Sequence, residues 1–511
     1  MDEARKAALD DLLKAGIDPF PYSFGRTHSA AQIHGNYASL EGKAASIAGR
    51  IVMKRSFGKL VFATVQDASG RIQVLLREDH AGAKKLADFE KLMTGDIIGA
   101  TGTATKTKKG EVSIDATEFA VLSKSLRPMP EKFHGLEDTE TRYRQRYLDL
   151  IANPDVVEIF KKRAAIIRTI REYLDENGFL EVETPVLQPI YGGGAAKPFV
   201  TRHNALKADL YLRIADELYL KRLIVGGMER VYEISKDFRN EDIDSTHNPE
   251  FTMLEFYEAY TDYHGMMRRA QDIFLRVCNA VHGKDSTEFK GKPISFAPPF
   301  AILSLVGEIK AKTGIDVLCW KDDAEAMAAI SKLGLKATSQ PTRAHAIDAL
   351  FDEFVKPGIT DPSFVIDYPE FMCPLAKKKR GDARLAERFE LFIAGEECAN
   401  AYSEITNPVQ QRAKFNEQAD ARRNGDQEAQ PFDEDFVTAM EYGMPPMGGI
   451  GIGIDRITMI FTGKESIKEV ILFPSMRPLG KAPKAAAEKT GNPAGKQPSG
   501  GNAPDGTTPH A

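Results

Sequence analysis

The chain has 511 residues, of which 42% are hydrophobic and 28% are charged, and its net charge is −5. This length predicts two or three domains, and the small net charge excludes nucleic-acid binding through an overall basic surface, so any such contact needs a local patch. No apolar run approaches the ~20 residues of a membrane span, and four cysteines without C-x-x-C spacing argue against a disulfide framework or a zinc site. We therefore expect a cytoplasmic protein with no membrane-spanning segment.

The first part of the chain predicts a small all-β barrel. Residues 1–45 are typical of a short helix followed by a linker. Residues 46–126 contain five short apolar or alternating runs separated by turn signals, with a helix-like insert near residues 80–93. Five strands in about 80 residues favour a barrel of the OB type.

The rest of the chain predicts an α+β domain and a tail. We expect a linker at 127–140, and the long helical patterns mixed with strands over 141–479 indicate an α+β domain. Residues 480–511 are rich in Pro and Gly and have almost no large apolar side chains, so we expect them to be disordered.

Two barrel residues are candidates for reading unpaired bases. Strand alternation in "LVFATVQ" and "RIQVLL" turns the Val and Ile side chains to one face and Phe62 and Gln73 to the other. An outward phenylalanine beside an amide suits stacking on one base and hydrogen bonding to a neighbour. Basic residues surround the pair: Lys54, Arg55, Lys59, Arg71, Arg77, Lys106, Lys108 and Lys109. The alternative is that Phe62 belongs to the core and the lysines only solubilise the rim.

The stretch "FRNEDIDSTHNPEFTMLEFYEAY", residues 238–260, predicts two strands around an acidic loop. Arg239 and Glu241 share one face of the first strand, and Phe251, Glu255 and Tyr257 share one face of the second. An arginine, a histidine and an exposed phenylalanine at such a hairpin could hold phosphates and stack a purine. A solvated acidic turn is the simpler alternative.

A second strand, "CANAYSE", projects Asn400, Tyr402 and Glu404 together. Paired with Glu255 and Tyr257, these residues form a combination suited to an ammonium group, with a cation–π contribution of up to about 2 kcal/mol. A further acid, Glu217, begins a predicted helix, where an acidic residue is also favourable for the helix alone.

Two carboxylates and a glycine-rich run complete the candidates. Glu434 and Glu441 lie seven residues apart on one predicted helix face and suit Mg²⁺ if ATP is present, although exposed helix acids are commoner than metal ligands. "GGIGIGIDRITMIFTG" runs from a strand into a helix, with Arg456 near the turn. It lacks the G-K-[ST] of a Walker motif, so separate arginines must meet the phosphate charge.

These motifs together resemble the class II aminoacyl-tRNA synthetases. "IREYLDENGFLEVETPVL" (170–187) is similar to the first signature of that family, "FRNE…HNPEFT" to the second and "GIGIGIDR" to the third. The segments "GGGAAKPF", "LYLRIADELYLKRLIVGGMERVYEI", "CANAYSE", "DEDFVTAMEYG" and "EVILFPSMRP" resemble the lysine-specific members. The resemblance covers roughly residues 45–478. It implies an antiparallel sheet flanked by helices, preceded by an OB-fold barrel that binds the anticodon.

The resemblance also implies site residues. Arg239 and Arg456 would carry catalysis: Arg239 would contact the α-phosphate and the amino acid's carboxylate, and Arg456 would sandwich the adenine with Phe251. The other implied ATP contacts are Glu241, His247, Asn248, Glu434 and Glu441, the last two holding Mg²⁺. The implied lysine contacts are Gly194, Glu217, Glu255, Tyr257, Asn400, Tyr402 and Glu404, and the implied anticodon contacts are Arg55, Phe62, Gln73 and Glu111. Tyr402 departs from the Phe of many bacterial members.

The implied activity is formation of lysyl-adenylate from L-lysine and ATP, then transfer to tRNA(Lys), by a homodimer. Three alternatives remain at this point: a tRNA-binding relative without catalysis, an aspartyl or asparaginyl enzyme, and a protein-lysylating relative. The first would be expected to have lost a signature arginine or a magnesium carboxylate, the second needs cations facing the substrate side chain, and the third would be expected to lack the barrel.

Overall fold

The computed structural model describes residues 2–129, 136–335, 342–423 and 429–479. The chain divides between residues 164 and 165 into two compact units. The predicted tail, 480–511, and part of the predicted linker, 130–135, lie outside the described residues. Among the described residues, no helix combines the length and the apolar character that crossing a membrane would demand.

The first unit contains a closed five-stranded barrel. Its strands are β1 (Ala44–Phe57), β2 (Leu60–Asp67), β3 (Gly70–Arg77), β4 (Ile97–Lys106) and β5 (Val112–Ser123), in the order β1-β2-β3-β5-β4. The barrel closes because β1 pairs antiparallel with both β2 and β4. Alternation buries Val61, Ala63 and Val65 in its core. The predicted insert forms two short helices, Glu78–Ala81 and Ala83–Glu90.

Helices before and after the barrel complete this unit. Glu3–Lys14 begins at Asp2, whose side chain accepts a hydrogen bond from the Arg5 backbone N–H, and it buries Leu12 in the barrel core cluster. The other helices are Ala30–Gly35, Tyr37–Leu40, Thr139–Arg144 and Arg146–Ala152, and the boundary between the units falls within the helix Asp155–Glu176.

An eight-stranded sheet is the centre of the second unit. Its strands are β6 (Leu180–Glu181), β7 (Arg230–Phe238), β8 (Glu250–Ala259), β9 (Ala301–Ser304), β10 (Ser363–Ile366), β11 (Arg388–Ile393), β12 (Glu396–Ser403) and β13 (Met447–Gly453). They lie in the order β9-β10-β11-β12-β13-β8-β7-β6. Neighbours are antiparallel except for the two edge pairs, β9 with β10 and β6 with β7.

Helices flank this sheet. The principal ones are α1 (Glu217–Val225), α2 (Tyr263–His282), α3 (Pro408–Arg423), α4 (Glu434–Glu441) and α5 (Ile454–Thr462). α2 begins at Asp262, whose carboxylate accepts from two backbone N–H groups, and ends at Gly283, whose φ of +68° suits a left-handed cap. The remaining helices are Leu305–Thr313, Val317–Cys319, Asp323–Lys332, Arg343–Leu350, Phe351–Val355, Lys356–Gly358, Glu370–Met372 and Ile467–Val470.

Short strands pair outside the main sheet: Leu187–Gln188, Val200–His203 and Ala208–Leu212 in one group, Ser286–Phe289 with Lys292–Ser295, and Lys378–Lys379 with Asp382–Ala386. The expected fold class is confirmed: an all-β barrel comes first along the chain, and an α+β unit follows whose mainly antiparallel sheet is flanked by helices.

Candidate active site

A cavity of about 950 Å³ lies against the central strands of the large sheet. β13 pairs antiparallel with β8 on one side and with β12 on the other. The structure brings most of the predicted site residues to this cavity, which is lined among others by Gly194, Glu217, Arg239, Glu241, His247, Asn248, Phe251, Glu255, Tyr257, Asn400, Tyr402 and Arg456. Strand alternation is the reason that the β8 and β12 members face it together.

One end of the cavity is acidic. Glu217, Glu255 and Tyr257 line it, whereas Glu404 is buried beside Gly449 and Tyr257 and is not itself among the lining residues. We call these three acids, together with Tyr257, the acidic end. The Tyr257 hydroxyl donates to Glu255 Oε2 over 2.9 Å. Glu404 is fully buried; its Oε2 contacts only the ammonium of Lys221, and its Oε1 has no hydrogen-bond partner in the structure. Burial raises the pKa of Glu404 to about 8 and that of Glu255 well above its usual range.

A lysine of the protein itself reaches this acidic end. Lys221, one turn after Glu217 on α1, forms ion pairs with Glu217 and with Glu404, whose Oε2 lies 2.5 Å from Nζ. The ammonium also lies 5.8 Å from the centre of the Tyr257 ring. Burial lowers the pKa of Lys221, but the two carboxylates outweigh burial and raise it above its ordinary value.

Arg388 supports the β12 side of the cavity. Its Nε donates to Asn400 Oδ1 over 3.3 Å, and its guanidinium lies 5.7 Å from the centre of the Tyr402 ring. Glu390 pairs with the same guanidinium. Arg388 therefore fixes the amide and the ring at once while its own charge is compensated.

Arg239 and the loop that contains Gly193 and Gly194 form another part of the wall. The Arg239 guanidinium lies 5.2 Å from the centre of the Phe251 ring. A Cβ placed on Gly194 would lie 3.7 Å from Arg239 Nη2, and one on Gly193 would lie 2.9 Å from Glu217 Cβ. Gly193 also has φ +83°, so glycine lets this loop approach α1 closely.

The acidic loop fixes a histidine next to Arg456. Asp244 accepts from the backbone N–H groups of Thr246 and His247 and from His247 Nδ1, which lowers the pKa of Asp244 to about 2 even though partial burial opposes the shift. Arg456 Nη2 donates to His247 Nε2 over 3.3 Å. The two contacts place the His247 proton on Nδ1. Asp244 thus orders the loop and does more than solvate it.

Asn248 and Glu241 occupy the same loop in different ways. The Asn248 amide is buried, donates to Glu250 O over 2.5 Å and accepts from Ser475 N over 3.0 Å. The polar atoms of the Asn248 side chain therefore bind the backbone at Glu250 and Ser475, and the residue also lines the cavity. Glu241 is exposed at the cavity wall.

Glu434 and Glu441 meet on one face of α4, as their spacing predicted, but they are not among the lining residues of the cavity. Arg412 of α3 donates to both, over 2.8 Å to Glu434 Oε2 and 3.3 Å to Glu441 Oε1. Both carboxylates are exposed, at 62% and 53% of their side-chain surface. Two exposed carboxylates within reach of one cation are a donor set that fits Mg²⁺.

The barrel places Arg55, Phe62 and Gln73 on the neighbouring strands β1, β2 and β3, and Glu111 directly before β5. Phe62 lies outside the core cluster, half-buried, and pairs in register with Arg55. Gln73 Oε1 accepts from the Ser113 hydroxyl over 3.0 Å, which also donates to the backbone oxygen of Glu111.

Several residues around the cavity were missed from the sequence. Lys221 had a detectable signal, since it follows Glu217 by four residues on a predicted helix. Arg388 and Arg412 had none, because each matters through a contact with a distant element.

A further buried group adjoins the cavity behind Glu255. One oxygen each of Asp216, Asp237 and Glu255 lie within 4.8 Å of one another. Burial and the neighbouring acids raise the pKa of Asp216 well above its ordinary value, while Arg213 Nε lies 3.3 Å from Asp237. Such a group can share a proton or hold a small cation.

Two family models match this chain. Residues 138–477 match the family model described as tRNA synthetases class II (D, K and N), and residues 45–122 match the model of the OB-fold nucleic acid binding domain. The lysine–tRNA ligase of Carboxydothermus hydrogenoformans is 50% identical over 93% of this chain and 98% of its own length. Those of Pelotomaculum thermopropionicum and Clostridium novyi are 48% and 50% identical, each over 93% of this chain and 94% of their own.

Proposed function

The chain belongs to the class II tRNA synthetases of the D, K and N type, and from this premise we propose that it is a lysine–tRNA ligase. It activates L-lysine with ATP to lysyl-adenylate and pyrophosphate, then transfers the lysyl group to the 3′ end of tRNA(Lys). Curated relatives of that name, about half identical to this chain over nearly its whole length, support the assignment.

One observation carries the choice of amino acid. The acidic end holds three buried carboxylates and one protein ammonium, that of Lys221, and Glu404 Oε1 has no hydrogen-bond partner. A buried carboxylate oxygen without a partner is costly, and three acids outnumber the one ammonium, so a ligand ammonium is the partner that this end is suited to bind. A long side chain ending in a primary amine delivers one to that depth.

The activation step needs positioning and charge rather than a protein nucleophile. The lysine carboxylate attacks the α-phosphorus in line, and Arg239 neutralises both reacting groups from its place over Phe251. Arg456, held by Glu397 O over 2.8 Å, stacks on the adenine with Phe251, and Glu241 meets the adenine amino group. His247 and Asn248 border the triphosphate, while Gly194 and Glu217 take the α-ammonium and Asn400 lies near the carboxylate.

Magnesium would be held by Glu434 and Glu441. When bound, it supplies positive charge to the phosphate oxygens. Arg412 contacts both carboxylates, and this sharing of one protein cation supports the pair as ligands. Arg412 must give up these contacts when the metal binds.

Aspartate or asparagine specificity fits the site less well. An aspartate side chain needs an uncommitted cation, whereas Lys221 and Arg388 are both paired with acids. A neutral or shorter amino acid would leave buried acids of the site unpaired, which is costly. The enzyme can therefore favour lysine over such amino acids by a factor of ~10⁴ without an editing step.

The barrel is proposed to bind the anticodon through Arg55, Phe62, Gln73 and Glu111. The half-buried Phe62 ring packs edge-on against Phe57, with centroids 5.8 Å apart, which leaves an aromatic surface for base stacking.

A homodimer is part of the proposal. Apolar side chains in and after the first signature are exposed in the single chain: Leu180, Val186, Leu187, Ile190 and Val200. Exposed apolar patches of this kind favour a partner surface, and the mass in solution by light scattering tests it. We also place the enzyme in the cytoplasm, in keeping with four free cysteines.

Pyrophosphate exchange across the amino acids is the test of the function. We expect exchange with lysine and ATP and far less with any other amino acid. Exchange with aspartate or asparagine but not lysine would refute the proposal, and absence of exchange with every amino acid would indicate a relative without catalysis.

A further inference from the structure

Lys221 connects two acids that come from different elements. Glu217 and Lys221 lie one turn apart on α1, while Glu404 follows the end of β12, where its backbone N–H donates to Met447 O over 3.0 Å. The single ammonium of Lys221 forms ion pairs with both carboxylates and is almost completely buried. The helix and the strand therefore meet at this side chain.

Without this ammonium the two acids would lose the cation that both of them contact. Two buried carboxylates that share a site cannot both ionise easily, so one would take up a proton. The other titratable groups that face Glu404 do not replace the lysine: Glu217, Tyr257 and Tyr402 are acidic or neutral, and Lys377 acts on Glu404 through charge while its backbone N–H donates to Ser403 O over 2.8 Å.

The two oxygens of Glu404 have different surroundings. Lys221 lies 2.5 Å from Oε2. Oε1 lies beside Gly449 and Tyr257, both of which line the cavity. A carboxylate can accept one ammonium at each oxygen, so the lysine of the protein leaves Oε1 for a ligand.

We propose that Lys221 is the positioning residue of the amino-acid pocket: by bridging Glu217 and Glu404 it favours the charged form of both acids against burial and holds their carboxylates in place, so that one substrate can engage Glu217 with its α-ammonium and Glu404 Oε1 with its side-chain ammonium. The inference rests on the proposed function. It gives Lys221 the role of compensating the negative charge of Glu217 and Glu404. A neutral amino acid would leave Oε1 unpaired, so Lys221 also contributes to selectivity.

Lys221→Met tests this, because it keeps much of the side chain's length and removes its charge. In pyrophosphate exchange we expect the lysine KM to rise at least tenfold, with the ATP KM within twofold of the wild type. The lysine KM of the wild type should fall as pH rises towards 8, and in the variant this fall should move to higher pH, because Glu404 has lost its cation. Lys221→Arg, which keeps the charge, should restore most of the affinity.

Lys124→Met is a matched control. Lys124 is likewise buried and pairs with a buried acid, Asp96, over 2.8 Å, but in the barrel unit. Its loss should lower stability as the loss of Lys221 does, and it should leave the lysine KM unchanged. A rise of the lysine KM in both variants would mean that general destabilisation, not pocket charge, is responsible, and would overturn the proposal.

The double variant Lys221→Met with Glu404→Gln separates positioning from structure. If Lys221 acts through Glu404, the double variant should have a lysine KM close to that of Glu404→Gln alone; a KM at the product of the two single effects would overturn the proposal. This comparison also decides the matter if Lys221→Met does not fold, since the double variant removes one charge of each sign. If the wild type exchanges with lysine and Lys221→Met has an unchanged lysine KM, the role of Lys221 is refuted and the proposed function stands. If the wild type does not exchange with lysine, the proposed function itself is refuted.

Discussion

Adding one methyl group at Gly449 should damage lysine binding selectively. Gly449 lies on β13 between Tyr257 of β8 and Tyr402 of β12, its partners in register. A Cβ built on it would lie 2.5 Å from Tyr257 Cδ1 and closer still to Tyr257 Cε1 and Glu404 Oε1. Real side chains do not approach so closely, so in Gly449→Ala the ring or the carboxylate must move.

The size of the effect follows from what moves. Overpacking a buried site costs about 1–3 kcal/mol of stability. Displacing the Glu404 oxygen from a ligand ammonium loses a charge-assisted hydrogen bond of about 1.5–3 kcal/mol, which corresponds to a rise of roughly ten- to a hundredfold in the lysine KM. The ATP KM should change little, because Arg239, Phe251 and Arg456 do not contact the new methyl group.

The assay is pyrophosphate exchange with lysine varied at saturating ATP. Gly448→Ala is the control, because a Cβ on Gly448 would lie 3.0 Å from Asp262 O and from Met266 Cγ, away from the acidic end. This variant should lose stability without a change in the lysine KM. The reasoning is refuted if Gly449→Ala keeps the wild-type lysine KM, or if both variants raise it equally.

Three further outcomes are expected. Glu404→Gln should raise the lysine KM roughly tenfold or more through loss of a charge-assisted bond, and an unchanged value would remove Glu404 from the pocket. Burial raises the pKa of Glu404 to about 8, so below that pH the carboxyl holds a proton that bound lysine must displace; the lysine KM of the wild type should therefore fall as the pH rises from about 6.5 to about 8.5, and a flat profile would contradict this. Phe62→Ala should slow aminoacylation of tRNA and spare pyrophosphate exchange, whereas Tyr22→Ala, an exposed aromatic in the same unit, should do neither; equal loss of both activities in Phe62→Ala would make the ring structural.

Strand periodicity was the most informative feature of the sequence. Because side chains alternate with a period of two, the short motifs containing Glu255, Tyr257, Asn400 and Tyr402 were enough to predict that these residues face one side, and all four line the cavity. The same rule placed Phe62 outside the barrel core. These predictions succeeded because they depend only on local geometry and on which neighbours are apolar.

Partners of charged residues could not be predicted in this way. The spacing of Glu434 and Glu441 placed them on one helix face, but their contact with Arg412 depends on how α3 packs against α4. Likewise, Asp216 and Asp237 look like ordinary polar residues in the sequence, and only the fold brings their carboxylates to Glu255.

The same limit explains why Lys221 was overlooked. A glutamate followed four residues later by a lysine on a helix is ordinarily an exposed pair that contributes about 0.2–0.5 kcal/mol. Packing of α1 against β8 buries this pair and brings a second acid, Glu404, to the same ammonium. In that setting the loss of one partner leaves uncompensated buried charge, which costs about 3–5 kcal/mol. A substitution that the sequence pattern would rank as mild is therefore expected to be among the most damaging in the pocket.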